Sequence, residues 1–278
     1  MTVRGISAWQ KAFAHVYRTE RAAFMPYWPL GFPSPGETLP YLEALVSAGA
    51  DMLELGIPFS DPLADGSTIQ AATQQALARG TRVATCLELA ATLRARGISL
   101  PFALMTYINP VLAYGLERFV SDAAALGADG LIIPDLPPEE GEILEPLCQE
   151  HGIALIYLLA PTSTEERIAL AAQHSSGFLY LVSVTGITGE RAQLPSDLAA
   201  FVQRVRGHTT LPLAVGFGIS TPAQAREVAR VADGVIVGSA LVRAAQDALS
   251  RGEDGVRAVQ TLAASLANGA HGNIPSDE

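Results

Sequence analysis

Met52-Leu-Glu-Leu-Gly-Ile-Pro-Phe-Ser-Asp-Pro-Leu-Ala-Asp-Gly-Ser-Thr-Ile-Gln70 reads as a strand, a break, a turn-rich loop and the start of a helix. The strand stops at Gly56-Ile57-Pro58, and the helical stretch is Thr68–Arg79. Strand alternation puts Met52, Glu54 and Gly56 on one face, with Leu53 and Leu55 on the other. Glu54 is then a carboxylate inside an apolar strand, where an unpaired charge is costly. Asp65 lies on the loop that leaves the strand's C-terminal end. A strand-borne acid beside a loop-borne acid can form a general acid/base pair with two different environments. The same residues also fit a purely structural arrangement, with Glu54 paired to an arginine and Asp65 capping a helix. The pattern alone leaves both open.

The unit repeats outward in both directions. Strands are expected at Phe24–Leu30, Met52–Gly56, Phe102–Ile108, Gly130–Pro134, Ala154–Leu159, Phe178–Ser183, Leu213–Gly216 and Gly234–Val237. Helical stretches alternate with them: Glu37–Ala48, then Thr68–Arg79 with Val83–Arg96, then Leu116–Leu126, Glu139–His151 and Thr164–His174. One more is expected to start near Ser196, followed by Pro222–Ala232 and Ala240–Asn268, and the amphipathic Ile6–Arg21 precedes them all. The strands are short, apolar and rich in β-branched residues, as expected when both sheet faces are covered. Gly49, Gly97, Gly127 and Gly152 read as helix stops. Eight βα units predict an α/β fold, a single (β/α)8 TIM barrel over residues 1–268, followed by a flexible polar tail over 269–278. The barrel carries an extra N-terminal helix and an additional helix after the second strand. Uniform spacing and the lack of an early Gly-x-Gly-x-x-Gly disfavour a doubly wound open sheet.

Composition narrows the function. The 278 residues are 49% hydrophobic and 17% charged, as in a well-packed globule. A net charge of −10 argues against nucleic acid or an anionic membrane as partner. No apolar run approaches the roughly 20 residues of a membrane span, and the N-terminus lacks a signal-peptide core. Cys86 and Cys148 are isolated, which suits a reducing cytoplasm and forms no metal motif.

In such a barrel the chemistry lies at the C-terminal ends of the strands. Two of the loops there are long, Pro58–Ser67 and Val184–Pro195, and the second contains Thr185-Gly-Ile-Thr-Gly-Glu-Arg191, suited to a mobile lid. Thr188 is a candidate to reach Asp65 from that lid, since a hydroxyl can donate to a carboxylate. Gly216-Phe-Gly-Ile-Ser220 and Gly238-Ser239 end the seventh and eighth strands. Backbone amides there can cradle a phosphate together with a helix N-terminus. Gly189, Phe217, Gly218, Gly238 and Ser239 are therefore expected to bind phosphate, with no Lys or Arg in either cluster. Lys11 is the only lysine and precedes the first strand, which nearly excludes a Schiff-base aldolase. His15, His151, His174, His208 and His271 fall in helices, at helix ends or in the tail, so no metal-dependent aldolase centre is expected. Carboxylate acid/base chemistry on a small phosphorylated substrate remains.

The stretch Leu53-Glu-Leu-Gly-Ile-Pro-Phe-Ser-Asp-Pro-Leu-Ala-Asp-Gly66 resembles that of the tryptophan synthase α subunit family. Met105-Thr-Tyr-Ile-Asn-Pro110, Pro134-Asp-Leu-Pro137, Thr185-Gly-Ile-Thr-Gly189, Gly216-Phe-Gly-Ile-Ser220 and Gly238-Ser239 support the resemblance, which spans roughly residues 7–265. It implies retro-aldol cleavage of indole-3-glycerol phosphate into indole and glyceraldehyde 3-phosphate. Glu54 matches the family's principal acid/base, Asp65 the carboxylate that holds the indole N–H, and Tyr180 a tyrosine that touches the first acid. The resemblance further implies a β subunit that carries pyridoxal phosphate, with no cofactor in this chain, in a cytoplasmic α2β2 heterotetramer. The loops near Tyr107–Asn109 and Pro58–Asp61 resemble those facing that partner. Phe32 and Val184 depart from the residues of many relatives, which bears on coupling to the partner more than on the lyase chemistry. Two other readings are a standalone lyase releasing free indole and a weakly active subunit that mainly activates its partner. Retained Glu54 and Asp65 argue against the last.

Overall fold

The computed structural model describes residues 3–182, 197–216 and 218–272. A helix, α1 (Ile6–Arg18), precedes the first strand, β1 (Ala23–Pro29), which is followed by α2 (Thr38–Ser47). Then come β2 (Leu53–Gly56), the two helices α3 (Ser67–Ala78) and α4 (Val83–Ala95), and β3 (Phe102–Met105). The middle of the chain holds α5 (Ile108–Tyr114), α6 (Leu116–Ala125), β4 (Gly130–Ile132), α7 (Glu145–His151), β5 (Ala154–Ile156) and β6 (Leu158–Leu159). It closes with α8 (Glu165–His174), β7 (Leu179–Val182), α9 (Leu198–Arg206), β8 (Leu213–Gly216), α10 (Pro222–Ala229), β9 (Gly234–Val237), α11 (Ser239–Ser250) and α12 (Gly255–Ala270).

All strand pairs are parallel, in the order β5-β4-β3-β2-β1-β9-β8-β7-β6. The two ends of that order are halves of one strand. Only Tyr157 separates β5, which pairs with β4, from β6, which pairs with β7. Read together they are the single fifth strand expected from the sequence, and they close the eight-stranded barrel. The break has a local cause. The Tyr157 amide donates to the Ser175 Oγ at 3.2 Å, while the amide of Tyr180 donates to the Tyr157 carbonyl at 3.1 Å. The strand thus changes partner within one residue.

Three other elements differ from expectation, the first being the stretch read as one helix over Glu139–His151, which is a 3-10 segment at Pro138–Ile143 followed by the short α7. The third strand ends at Met105, and α5 starts at Ile108, where a strand was expected to finish. The long last helix is broken between α11 and α12, where Gly252 takes φ 70° and the Asp254 carboxylate accepts from the Arg257 amide as a new N-cap. The helix stops read at Gly49, Gly97, Gly127 and Gly152 all have positive φ. Helix α12 continues through Ala270, and His271 approaches the Asp51 carboxylate at 2.9 Å, so part of the assigned tail is packed. Residues 273–278 lie outside the described residues. Among the described residues no helix is long and apolar enough to cross a membrane.

The barrel's lower end is closed by α1. Trp9, Phe13 and Val16 are buried on its inner face, and the Trp9 and Phe178 rings lie 5.3 Å apart. The Trp9 indole N–H donates to the Asp129 carbonyl at 3.0 Å. Asp129 organises this end. Fully buried, it accepts from the Gly5 amide at 2.7 Å, the Phe102 amide at 3.0 Å and the Arg94 guanidinium. A buried carboxylate paired this completely is costly to disturb, because removing one partner strands the other charge. Asp129→Ala should therefore destabilise the fold by about 3–5 kcal/mol. Urea unfolding should show this as a lower midpoint with unchanged slope.

Candidate active site

At the upper end the pleat turns Glu54 and Gly56 of β2 inward, as the alternation requires. Glu54 stands beside Tyr27 of β1 in the sheet register. The glycines at three strand ends answer to two tyrosines. A Cβ on Gly56 would lie 2.1 Å from the Tyr27 hydroxyl, and one on Gly216 would lie 2.4 Å from the Tyr180 hydroxyl. A Cβ on Gly238 would press on the Tyr27 ring at 3.0 Å. Large side chains on β1 and β7 thus require small ones on β2, β8 and after β9.

Glu54, Asp65, Tyr180, Gly218, Gly238 and Ser239 all line one pocket. Tyr27, Ile69, Met105, Ile219 and Ile236 supply most of its apolar wall. Thr188, Gly189 and Phe217 lie outside the described residues, as does the loop holding Val184.

Glu54 is fully buried, and among the described residues neither carboxyl oxygen has a hydrogen-bond partner. Burial alone pushes its pKa well above the usual carboxylate range, which favours the protonated form. Asp65 is raised to about 7, chiefly by burial, with a hydrogen bond from the Tyr107 hydroxyl acting in the opposite direction. Two carboxyls in one pocket thus sit in different environments, Glu54 raised by burial alone and Asp65 raised by burial against an opposing hydrogen bond, the kind of contrast that can divide acid from base. The Tyr180 and Tyr27 phenols are raised by burial first and then by the charges of both acids, which face them.

The Asp65 loop is tightly tied. The amide of Asp65 donates to the Pro62 carbonyl at 3.0 Å, and the Gln70 side-chain amide donates to the Asp65 carbonyl at 2.8 Å. Tyr107, just before α5, accepts from the Ala64 amide at 3.0 Å, and its ring lies tilted against Phe59 with centroids 5.4 Å apart. Sequence reading placed Tyr107 on a partner-facing loop and did not link it to Asp65. The hydroxyl lies 42 positions beyond Asp65, and only strand adjacency brings it there.

The phosphate candidates sit where two chains of glycine meet helix starts. Gly218 takes φ 82°, open to glycine without strain. Gly238 is the N-cap of α11, so the first amides of that helix have no intrahelical acceptor, and Gly238, Ser239 and Ala240 line the pocket. One contributor escaped the sequence. The Gln224 side-chain oxygen accepts from the Ser220 amide at 2.8 Å, the Ser220 hydroxyl at 3.1 Å and the Thr221 amide at 3.1 Å. It pins the turn that follows Gly218. The signal was Thr221-x-x-Gln224, a capping-box spacing before α10.

The histidines take structural places: His174 lies against Glu145, His208 against Glu165 and His271 against Asp51. Among the described residues no group of three His, Cys, Asp or Glu is placed to hold a metal ion.

Residues 13–271 match the family described as tryptophan synthase alpha chain. The tryptophan synthase alpha chain of Roseiflexus castenholzii is 54% identical over 230 residues, covering 83% of this chain and 88% of that one. That of Chloroflexus aggregans is 53% identical over 232 residues, covering 84% and 87%. Among solved structures, tryptophan synthase subunit alpha from Legionella pneumophila superposes with a TM-score of 0.89 at 38% identity, covering 96% of this chain and 99% of that one. A Mycobacterium tuberculosis tryptophan synthase chain gives 0.87 at 39% identity, covering 95% and 98%.

Burial makes the folded chain hold the Glu54 proton more tightly than the unfolded chain does. The stability from that proton is fully present below the ordinary pKa of 4.5 and is lost as pH rises through the raised folded value. Glu54→Gln carries no charge and escapes this loss. It should unfold at a higher temperature than the wild type at alkaline pH, with the gap closing as the pH falls to the carboxylate range. Thermal unfolding across that range checks it; a variant less stable than wild type at alkaline pH would contradict the assignment of an unpaired buried acid.

Proposed function

The chain belongs to the tryptophan synthase alpha chain family, and from that premise we propose how its residues divide the work. It is a carbon–carbon lyase that cleaves indole-3-glycerol phosphate to indole and glyceraldehyde 3-phosphate, the indole passing to a β subunit for L-tryptophan synthesis. In the proposed mechanism, protonated Glu54 delivers its proton to C3 of the indole, which leaves an electron-accepting iminium across N1 and C2. The resulting Glu54 carboxylate then takes the proton of the glycerol hydroxyl next to the ring. As that hydroxyl becomes a carbonyl, the C–C bond electrons return to the ring, and Glu54 regains its starting state. Ionised Asp65 faces N1–H and stabilises the positive charge that develops there. The observation that carries this reading is the fully buried Glu54, with no hydrogen-bond partner among the described residues, in the same pocket as Asp65.

Tyr180 is assigned to the wall beside Glu54, and Gly218, Gly238 and Ser239 to the substrate phosphate. Gly189 and Phe217 are assigned to the same cradle and Thr188 to a lid contact with Asp65, on their sequence positions alone. Pyridoxal phosphate is assigned to the β subunit. Such a cofactor needs a lysine for its Schiff base, and Lys11 is exposed on α1, at the opposite end of the barrel. An α2β2 assembly in the cytoplasm is inferred, with a single barrel domain that extends through α12 and His271, beyond the expected boundary at residue 268. Leu63 is 89% exposed on the Asp65 loop and Leu112 is 50% exposed on α5, apolar surface on the two loops expected to face the partner. Membership of the family, which implies a β-subunit partner, favours the two-component enzyme over a standalone lyase.

Indole release, measured with and without a matching β subunit, tests the roles. Glu54→Gln should lose about 10²–10⁴-fold in turnover while keeping the fold; near-native turnover would remove Glu54 from the mechanism. Because Asp65 acts ionised, kcat/KM of the wild type should rise as pH rises through about 7. Asp65→Asn should lose that limb along with most activity, and a pH profile unchanged in the variant would overturn its role.

A further inference from the structure

Indole-3-glycerol phosphate carries a ring N–H, a hydroxyl next to the ring, a second hydroxyl on the middle carbon of the chain, and a phosphate. Asp65, Glu54 and the glycine cradle answer to all of these except the middle hydroxyl. Burying a hydroxyl without a hydrogen bond costs free energy, so a site that encloses this chain needs a further polar group between acid and cradle.

Tyr27 is placed to be that group. It sits on β1, between β2 and β9 in the sheet, and pairs in register with Glu54. Its side chain crosses the pocket wall from one functional end to the other. The base of the side chain lies against Gly238, where an added Cβ would come within 3.0 Å of its Cδ1 and 3.2 Å of its Cβ. The hydroxyl lies over Gly56, where an added Cβ would collide with it. Gly56 follows Glu54 on the same inward face of β2. The phenol thus starts at the phosphate cradle and ends beside the acid, along the course that the glycerol chain takes between them.

The oxygen is available. Tyr27 is 9% exposed and lines the pocket. Among the described residues its hydroxyl makes no hydrogen bond. Burial first, and then the neighbouring Asp65, Tyr107, Glu54 and Cys86, push its pKa up, so it keeps its proton and can donate. Tyr180, the other phenol of the pocket, lies over Gly216 of β8, which β9 and β1 separate from β2 in the sheet.

We propose that Tyr27 is a substrate-binding residue whose hydroxyl donates to the middle hydroxyl of the glycerol chain and so selects chains that carry it. Held at that point, the chain presents its ring-side hydroxyl to Glu54. This rests on the assignment of Glu54 to that ring-side hydroxyl and of Gly238 and Ser239 to the phosphate.

Two probes isolate the contact: indole-3-propanol phosphate, and the same molecule with one hydroxyl on its middle carbon. Neither has the hydroxyl next to the ring, so neither can be cleaved. Binding of each is measured by calorimetry in wild type, Tyr27→Phe, Tyr180→Phe and Ser239→Asp. The wild type should prefer the hydroxylated probe by about three- to tenfold, the range of one net hydrogen bond. Tyr27→Phe should bind both probes alike and raise the KM for substrate, with thermal stability no lower than wild type, because its phenol has no protein partner to lose. Tyr180→Phe should keep the preference, and Ser239→Asp, with an anion in the cradle, should bind neither probe. A preference as strong in Tyr27→Phe as in wild type, or absent from wild type, would overturn the role of Tyr27 alone. If that unchanged preference came with a loss of thermal stability, the hydroxyl would be structural instead. If the wild type binds neither probe, or Ser239→Asp binds both as tightly as wild type, the phosphate assignment is wrong and the proposal falls with it.

Discussion

A carboxyl group with no partner inside a closed barrel is the constraint to which the rest of the upper end conforms. Glu54 has neither water-facing surface nor a hydrogen bond from the described residues, and an ionised carboxylate there would be expensive. The group therefore stays protonated, and its surroundings must leave space for a reacting atom without hydrating it. Tyr27 and Tyr180 wall that space, and Gly56, Gly216 and Gly238 are small because those rings overlie them. A protein built only for stability would pair such an acid or replace it. This one keeps it beside Asp65, whose pKa near 7 follows from shallower burial and the Tyr107 hydroxyl.

The opposite end of the barrel shows what pairing does to the same kind of side chain. Asp129 is as buried as Glu54, yet two amides and a guanidinium surround it, and it joins α1, β3 and β4 into a rigid base. Two carboxylates at equal burial thus carry opposite tasks, and the difference lies wholly in their neighbours. Barrels separate the two ends in this way, with stability at the N-terminal face and chemistry at the C-terminal face.

The sequence made much of this legible. Strand rhythm yielded the barrel because buried parallel strands are short, apolar and evenly spaced, and the inward direction of Glu54 followed from a period of two. Gly218, Gly238 and Ser239 were expected at strand ends from their glycine clusters, and all three line the pocket that holds both acids. What stayed hidden depends on contacts distant in sequence. The split at Tyr157 comes from a hydroxyl on Ser175, and α5 begins inside a run that looks like strand as far as Ile108. Tyr107 reaches Asp65 only because β2 and β3 are neighbours, and Arg243 meets Thr68 across 175 positions. Tyr27 carried no polar signature among apolar strand residues, though it faces both acids.

The same contacts explain how a surface event could reach the chemistry. Phe59 packs on the Tyr107 ring, the Tyr107 hydroxyl holds the Ala64 amide and bonds to Asp65, and Leu63 between them is exposed. A partner seated on Leu63 would remove water from this loop, and desolvation raises the Asp65 pKa. The same seating would firm the Tyr107 hydrogen bond, which lowers it. The two effects oppose one another, so the ionisation of Asp65 near neutral pH depends on their difference rather than on either alone. A group poised near 7 is more sensitive to such a difference than one buried as deeply as Glu54, whose proton would survive any shift of the loop. Asp65, on the loop that carries the exposed Leu63, is thus nearer to any such seating than Glu54, which lies fully buried on β2.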